Sequence, residues 1–506
     1  MIDAITTELL IAYFQCPRKA YLLTCTKEPG KLHEYEQILE QNRLTNQHKY
    51  LDILKQNKSD VFPYNVDNLK KGCEILINAT LTADGLQADC AILTKVGKRN
   101  YEPTIFVGTH SISETDRLGL MFIGYVLTRV QDKPPTMGYI INMDSKAHRI
   151  KLTESRKTLA PLLELLQEWT VVPPEEPPVI LNKHCPICQF RDQCERIAVQ
   201  EDNLSRLNGI TPKVIRKYEK KGIFTVKQLS YLFKPRKRKK RRKNPPPTTH
   251  KIELQALAIR TGKIYLQELP ALNRKETELF LDIEGVPDQN LHYLIGVLVC
   301  QGNKTVYHPF WADIAEDEET IWREVLVLVN QYSDAPIYHY GSYESRVIPK
   351  LARQYETDIE SLTKRLVNLN KQIFGKVYFP AYSNRLKELA GSIGAMWTSP
   401  GASGLQSLVW RYHWDQTHNT HYKTLLLTYN EEDCRALKLL VDELTKIKDT
   451  AILISDLDFG DRHKRHSTET DNLLHSQLEA ILKSAHTSNY NEKKISFRPD
   501  QQVQNN

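Results

Sequence analysis

The chain has 506 residues, 41% of them hydrophobic and 26% charged, with a net charge of +8. These values exclude a chain disordered along its length, and no apolar run approaches the ~18 residues that a bilayer requires. Met1-Ile2-Asp3-Ala4 lacks the basic, then apolar, start of a secretory signal; the expected compartment is therefore the cytoplasm, where nine cysteines read as thiols or metal ligands.

A chain of this length holds two to four domains. Residues 1–30 open with a helical pattern, Glu8 to Phe14, that runs into Cys16-Pro17. Residues 31–72 are polar and read as helical. Strands are expected at 73–83, 86–96 and 102–107, a helix at 114–131, a strand at Met137–Ile141 and a helix at 155–169, which is an α/β order with a mixed sheet. A proline-rich break at 173–178 then leads to Cys185-Pro186-Ile187-Cys188 and Cys194. Three thiols within ten residues rarely fall together by chance, and Cys16 is the most economical fourth. Four thiolates suit zinc or an iron–sulfur cluster, and spacing alone does not choose.

A lone early cysteine paired with a late C-x2-C-x5-C resembles the iron–sulfur clasp of RecB-like nucleases of the AddB and CRISPR-adaptation kinds. The resemblance covers residues 1–200 and implies a restriction-endonuclease-like α/β domain whose ends are stapled by a [4Fe–4S] cluster on Cys16, Cys185, Cys188 and Cys194. It also implies a nuclease site of two acids and a lysine. Asp89 and Glu102 stand for the acids, but Thr104 occupies the lysine's place. The domain is therefore expected to bind nucleic acid without cutting it.

Residues 201–233 read as two short helices around Gly209-Ile210-Thr211-Pro212 and Gly222-Ile223, similar to a helix–hairpin–helix module. A plain structural α-hairpin fits them equally well. The linker 234–250 follows. Its stretch 234–243 carries nine positive charges, so the other residues together sum to −1 against +8 for the whole. Arg236, Lys237, Arg238, Lys239, Lys240, Arg241, Arg242 and Lys243 are candidates for holding nucleic-acid phosphates.

From 278 the pattern turns to strands at 278–286, 293–299 and 304–308. A helix at 319–332 and a strand at 336–340 follow, the order of an RNase H-like α/β domain over 251–448. The first strand, Glu278-Leu279-Phe280-Leu281-Asp282-Ile283-Glu284, places Asp282 and Glu284 on one face by its period of two. Paired acids in an apolar strand need a cation, and a divalent metal suits their oxygens. Glu344 opens a helix after the fourth strand. Tyr429 and Asp433 lie one helical turn apart in Tyr429-Asn430-Glu431-Glu432-Asp433. The loop 399–407 is rich in glycine and serine and reads as surface. Residues 449–506 read as a polar tail, mostly disordered, with one amphipathic piece at 472–483.

This set resembles the proofreading-type 3′–5′ exonucleases of the RNase H-like superfamily, D-x-E, N-x2-(F/Y)-D and Y-x3-D. More closely, Phe280–Gly285, His339–Glu344, Phe379–Lys387 and Tyr429–Cys434 resemble a YprB-like branch fused to a RecB-like domain. The resemblance implies a nuclease acting on DNA or RNA, in which Asp282, Glu284 and Asp433, helped by Glu344, hold two Mg²⁺ or Mn²⁺ ions about 4 Å apart while Tyr429 orients water. Three departures stand out: Glu344 replaces an Asp, Tyr340 an Asn, and Asn368 an expected Asp. The rival reading is a non-catalytic nucleic-acid-binding scaffold with two degenerate nuclease folds.

Overall fold

The computed structural model describes residues 3–26, 29–58, 60–97, 100–153, 155–172, 174–233, 250–453 and 476–477. The basic residues 236–243 and the helical piece expected at 472–483, two of its residues excepted, lie outside them. Two units are present. One comprises Met1–Glu195, Gly285–Leu291 and Ser403–Asn419; the other comprises Arg196–Glu284, His292–Ala402 and Thr420–Asn506.

The first unit is built on a seven-stranded mixed sheet. Its strands are β1 (Ile5–Thr6), β2 (Val61–Pro63), β3 (Ile75–Ala83), β4 (Leu86–Gly97), β5 (Asn100–Phe106), β6 (Met137–Ile141) and β7 (Ala147–Lys151), ordered β2-β3-β4-β5-β6-β7 with β1 beside β4. Helices α1 (Thr7–Gln15) and α2 (Pro17–Cys25) meet at Cys16. Helix α3 (Glu34–Asn57) and the short α4 (Val66–Lys71) precede β3. The stretch expected to be helical throughout 31–72 thus contains β2, because Val61-Phe62-Pro63 finds an open edge of the sheet beside β3. Helix α5 (Glu114–Gln131) starts at the expected residue, fixed by a capping box between Ser113 and Asp116. Its apolar face, with α1 and α6 (Ser155–Val171), covers one side of the sheet through Leu10, Leu81, Leu93, Phe122 and Leu166. Leu51 of α3 closes the other side over Ile77, Ile92 and Phe106. Helix α7 (Arg191–Gln200) carries Cys194.

In the second unit, the stretch expected to hold two short helices contains α8 (Pro212–Glu219) and α9 (Val226–Ser230), each opened by a threonine cap. The residues before it are anchored at Tyr382: Arg206 donates to its hydroxyl at 2.7 Å and lies 3.6 Å over its ring, and Asn208 N–H donates to its carbonyl. Helix α10 (Ile252–Thr261) and β8 (Tyr265–Leu266) lead into a five-stranded sheet. Its strands are β9 (Thr277–Val286), β10 (Leu291–Gln301), β11 (Lys304–Trp311), β12 (Ile337–His339) and β13 (Leu366–Asn368), in the order β11-β10-β9-β12-β13. β12 runs parallel to both β9 and β13.

Two layers cover this sheet. Leu279, Leu281 and Ile283 of β9 pack under α11 (Glu318–Gln331) and α12 (Tyr343–Gln354) through Trp322, Val325, Ile348 and Leu351. Phe280, on the alternate face, packs with Cys434, Leu437 and Val441 of a late helix. Before that helix come α13 (Glu360–Arg365), α14 (Leu369–Ile373), β14 (Val377–Tyr378) and α15 (Leu386–Ser392); α16 (Gly404–Thr417), which follows α15 in the chain, belongs to the first unit. The late helix itself is α17 (Thr420–Thr450). The strand β15 (Ile452–Leu453) follows it and pairs in parallel with β8. Order therefore extends past 448, where a polar tail was expected, because Ile452 and Leu453 are apolar enough to complete a small sheet. The loop expected at 399–407 ends early for a similar local reason: Ser403 accepts from Gln406 N–H and starts α16.

Candidate active site

The geometry begins with the period of β9. Residues 278, 280, 282 and 284 share the face that α17 covers, and three of them are acids. Glu278 is compensated: Arg274 donates to both its carboxylate oxygens at 2.7 and 2.8 Å, and Tyr338 donates from 3.2 Å. Among the described residues Asp282 has no such cation. Its partner is the Asn430 amide, 2.7 Å from Oδ2 and 3.2 Å from its own carbonyl. Asp433 comes down from α17, so that Asp282, Glu284 and Asp433 each present an oxygen within 4.8 Å of the others. Burial, then Asp433, Glu284 and Glu344 in turn, pushes the Asp282 carboxyl well above its ordinary range. Burial likewise pushes Asp433 up to about 6, against the pull of the Trp397 indole, Lys387 and the Tyr429 hydroxyl. Like charges this close in a desolvated cleft favour binding of a cation. Three hard oxygen donors fit Mg²⁺ or Mn²⁺.

The remaining expected residues take different places. Tyr429 lies one turn before Asp433, mostly buried, and hydrogen-bonds to its carboxylate; burial and the three acids raise its phenol, which stays protonated. Glu344 is buried in the first turn of α12, 3.2 Å from His339 Nδ1, and is not part of the close trio. It reaches Asp282 through its field. Tyr340 sends its hydroxyl to the Asn384 carbonyl at 2.5 Å. Asn368 braces both the N–H and the carbonyl of Gly341, just ahead of α12.

Four residues outside the expected set shape the cleft. Asn430 is fully buried and accepts from the Tyr307 hydroxyl at 2.7 Å while holding Asp282. Gly296 makes room for it: a Cβ there would sit 1.7 Å from Asn430 Oδ1. Trp397 donates its indole N–H to Asp433 at 2.7 Å. Lys387, in the first turn of α15, lies 4.5 Å from the Tyr429 ring centroid and 5.0 Å from that of Trp397. Of these, Asn430 and Lys387 lie inside motifs that the sequence displays, but spacing alone marks neither as a functional group.

In the first unit, Asp89 and Glu102 do not converge. Strand register sets Glu102 opposite Thr94, five residues along β4 from Asp89, roughly 17 Å at the usual rise. Glu102 is buried and accepts from Met137 N–H at 3.1 Å; Asp89 is exposed and accepts from Thr80 at 2.7 Å. The acidic pair expected there is thus corrected: the reach of β5 carries Glu102 to the far end of the strand pair.

Cys16, Cys185, Cys188 and Cys194 line one pocket together with Arg18, Lys19 and His184. Cys16 sits between α1 and α2, Cys185 opens a 3₁₀ turn that ends at Cys188, and α7 brings Cys194. All are free thiols. Burial pushes Cys185 up to about 11 and raises Cys188 and Cys194, while Lys19 favours the Cys188 thiolate and Arg18 that of Cys194. Lys19 also touches His184 Nε2 at 2.9 Å.

Residues 279–445 match the family model RNase_H_2, of the RNase_H superfamily. With the strand order above, this makes the C-terminal domain RNase H-like. A domain of that superfamily suggests a metal-dependent nuclease, and hence a nucleic-acid substrate. No curated protein matches the chain. No helix among the described residues is long and apolar enough to cross a membrane.

Proposed function

We propose that this protein hydrolyses phosphodiester bonds of DNA or RNA at the cleft formed by Asp282, Glu284 and Asp433, as a 3′–5′ exonuclease using two divalent ions. The observation that carries the reading is the contrast along β9: Glu278 is neutralised by Arg274, whereas two acids further along the same face meet a third acid. Asp282, Glu284 and Asp433 would hold Mg²⁺ or Mn²⁺, which when bound supplies Lewis acidity and lowers the pKa of an attacking water. The chain's own groups prepare that chemistry. Asn430 fixes the Asp282 carboxylate, and Trp397 and Tyr429 fix Asp433. The Tyr429 phenol keeps its proton and can orient a water at the rim. Glu344, held by His339, adds negative field at Asp282.

In the test, 5′-labelled single- and double-stranded DNA and RNA are incubated with Mn²⁺ or with EDTA. A ladder of products shortening from the 3′ end, only with metal, is expected; intact substrate in every arm would leave the non-catalytic scaffold as the better reading.

The first unit is proposed to bind nucleic acid without cutting it. Separation of Asp89 from Glu102 and the absence of a lysine at 104 support this. Residues 236–243 are proposed to hold phosphates. Cys16, Cys185, Cys188 and Cys194 are proposed to bind a [4Fe–4S] cluster, the cations Arg18 and Lys19 favouring thiolates in a buried pocket. Protein purified without oxygen should be brown, with iron and sulfide in near-equal amounts. Cys188→Ala should lose the colour and destabilise the first unit, since ligation and folding are coupled. A colourless protein with one zinc per chain would replace the cluster with a zinc site.

A further inference from the structure

A lysine, Lys387, stands beside the acidic cleft. Among the described residues Lys387 Nζ makes no ion pair, although Asp433, Glu432 and Glu284 all act on it through space. Two aromatic faces hold it instead, Tyr429 at 4.5 Å and Trp397 at 5.0 Å, and it donates to the Ala402 carbonyl. The same two aromatic residues hydrogen-bond Asp433. The ammonium is therefore indexed to the reacting centre by the groups that set the carboxylate. An ammonium has three donors, and among the described residues one is used, on the Ala402 carbonyl. The residue is half-buried, and its head is fixed by the two rings and the carbonyl.

We infer that Lys387 is a catalytic residue of the proposed nuclease site, donating to a non-bridging oxygen of the phosphodiester being cleaved. The assignment rests on the nuclease reading above and adds to it the group that receives the substrate's negative charge. A cation meant only to neutralise the acids would sit in contact with one of them, as Arg274 does with Glu278 and Asp442. A cation set back on π faces can serve an anion that arrives later. Its pre-set position matters for rate as well as binding, since the donor is already where charge accumulates on the phosphate.

The experiment compares full-length wild type, Lys387→Met, Lys387→Gln and Lys387→Arg on single-stranded DNA and RNA oligomers. Affinity is measured against salt with Ca²⁺ replacing Mn²⁺, and cleavage with Mn²⁺. Losing one phosphate contact should flatten the slope of log K against log salt by about 0.7. It should also lower kcat/KM roughly 100-fold, with Lys387→Arg retaining the slope. DNA and RNA arms that respond alike assign the contact to the shared phosphodiester. Wild-type protein is also tested on oligomers with one uncharged methylphosphonate placed in turn at each of the last three linkages. One such position should weaken wild-type binding but leave Lys387→Met indifferent, and this arm decides the matter if the variants fold poorly. Unchanged slope and rate in folded Lys387→Met and Lys387→Gln, or wild-type indifference to every methylphosphonate, would overturn the inference while a cutting wild type upholds the nuclease. A wild type that neither binds nor cuts sinks both.

Discussion

Asp282→Asn should abolish Mn²⁺-dependent cleavage and, in EDTA at pH 7.5, yield a protein that melts higher than wild type. The first effect follows from removing a charged oxygen from the trio that lies within 4.8 Å. Loss of several kcal/mol of charge stabilisation corresponds to at least roughly a 10³-fold fall in rate. The second follows from the sign of the pKa shifts. Asp282 and Asp433 titrate above their unfolded values, so the folded state favours their neutral forms. Their contribution to stability is fully present below the ordinary carboxylate range. It is lost as pH rises through the folded values, about 6 for Asp433. At pH 7.5 the metal-free wild type bears the penalty of ionising Asp433, which titrates at about 6, beside the buried Asp282. An amide at 282 takes an ionisable group out of the buried cluster and relieves its neighbours, a gain on the order of 1–2 kcal/mol, or several degrees of melting temperature. The advantage should shrink at pH 4. Mn²⁺ should raise the wild-type melting temperature and leave that of Asp282→Asn in place. A variant that cuts normally, or melts lower than wild type in EDTA at pH 7.5, would contradict the assignment.

What sequence reasoning could see divides along physical lines. The approach of Asp282 and Glu284 was legible because strand period is a local property, and the helix of Tyr429 and Asp433 was legible for the same reason. The order of strands and helices in the C-terminal domain then implied that the two would meet. Asn430 escaped because its role depends on which side of α17 faces β9. Within Tyr429–Asp433 it reads as one polar residue among several, and only the approach of Gly296 shows that it is buried. Trp397 and Lys387 escaped because a loop folds one onto the other; no periodicity links residues 387, 397 and 433. The failure at Glu102 has another cause. Motif spacing along a chain counts residues, but two strands place acids together only if their register agrees, and register is set by the bulge near Lys95 and Gly97 and by the core beneath. The cysteines lie between these cases. Their spacing marks them as a group, and the fold gathers them in one pocket, but neither spacing nor shape distinguishes a cluster from zinc or from free thiols.

Gly296→Ala should damage the site from the far side of Asn430, and a second substitution should separate packing from chemistry. Gly296 lies in the run 293–299, all apolar and buried, where alanine would ordinarily be harmless. Here the added methyl would stand 1.7 Å from Asn430 Oδ1 and 2.9 Å from the Tyr307 ring. Something must move, and both neighbours are tied: Tyr307 donates to Asn430, and Asn430 donates to Asp282. Overpacking of this kind costs about 1–3 kcal/mol, which lowers the melting temperature by about 2–4 °C per kcal/mol in a domain of this size. Cleavage should fall further than stability, because displacing Asn430 frees the Asp282 carboxylate to turn away from Asp433. Asn430→Ala alone should also lose most activity, but through a missing hydrogen bond and not a collision. In the double variant the collision is gone, so its melting temperature should lie above the sum of the two single losses. Its activity should stay as low as that of Asn430→Ala, because nothing then holds Asp282. A double-mutant cycle measured by melting and by initial rate reads these two couplings separately. Losses that simply add in stability would mean that Gly296 and Asn430 do not share the space described, and an active double variant would remove Asn430 from the role of positioning Asp282.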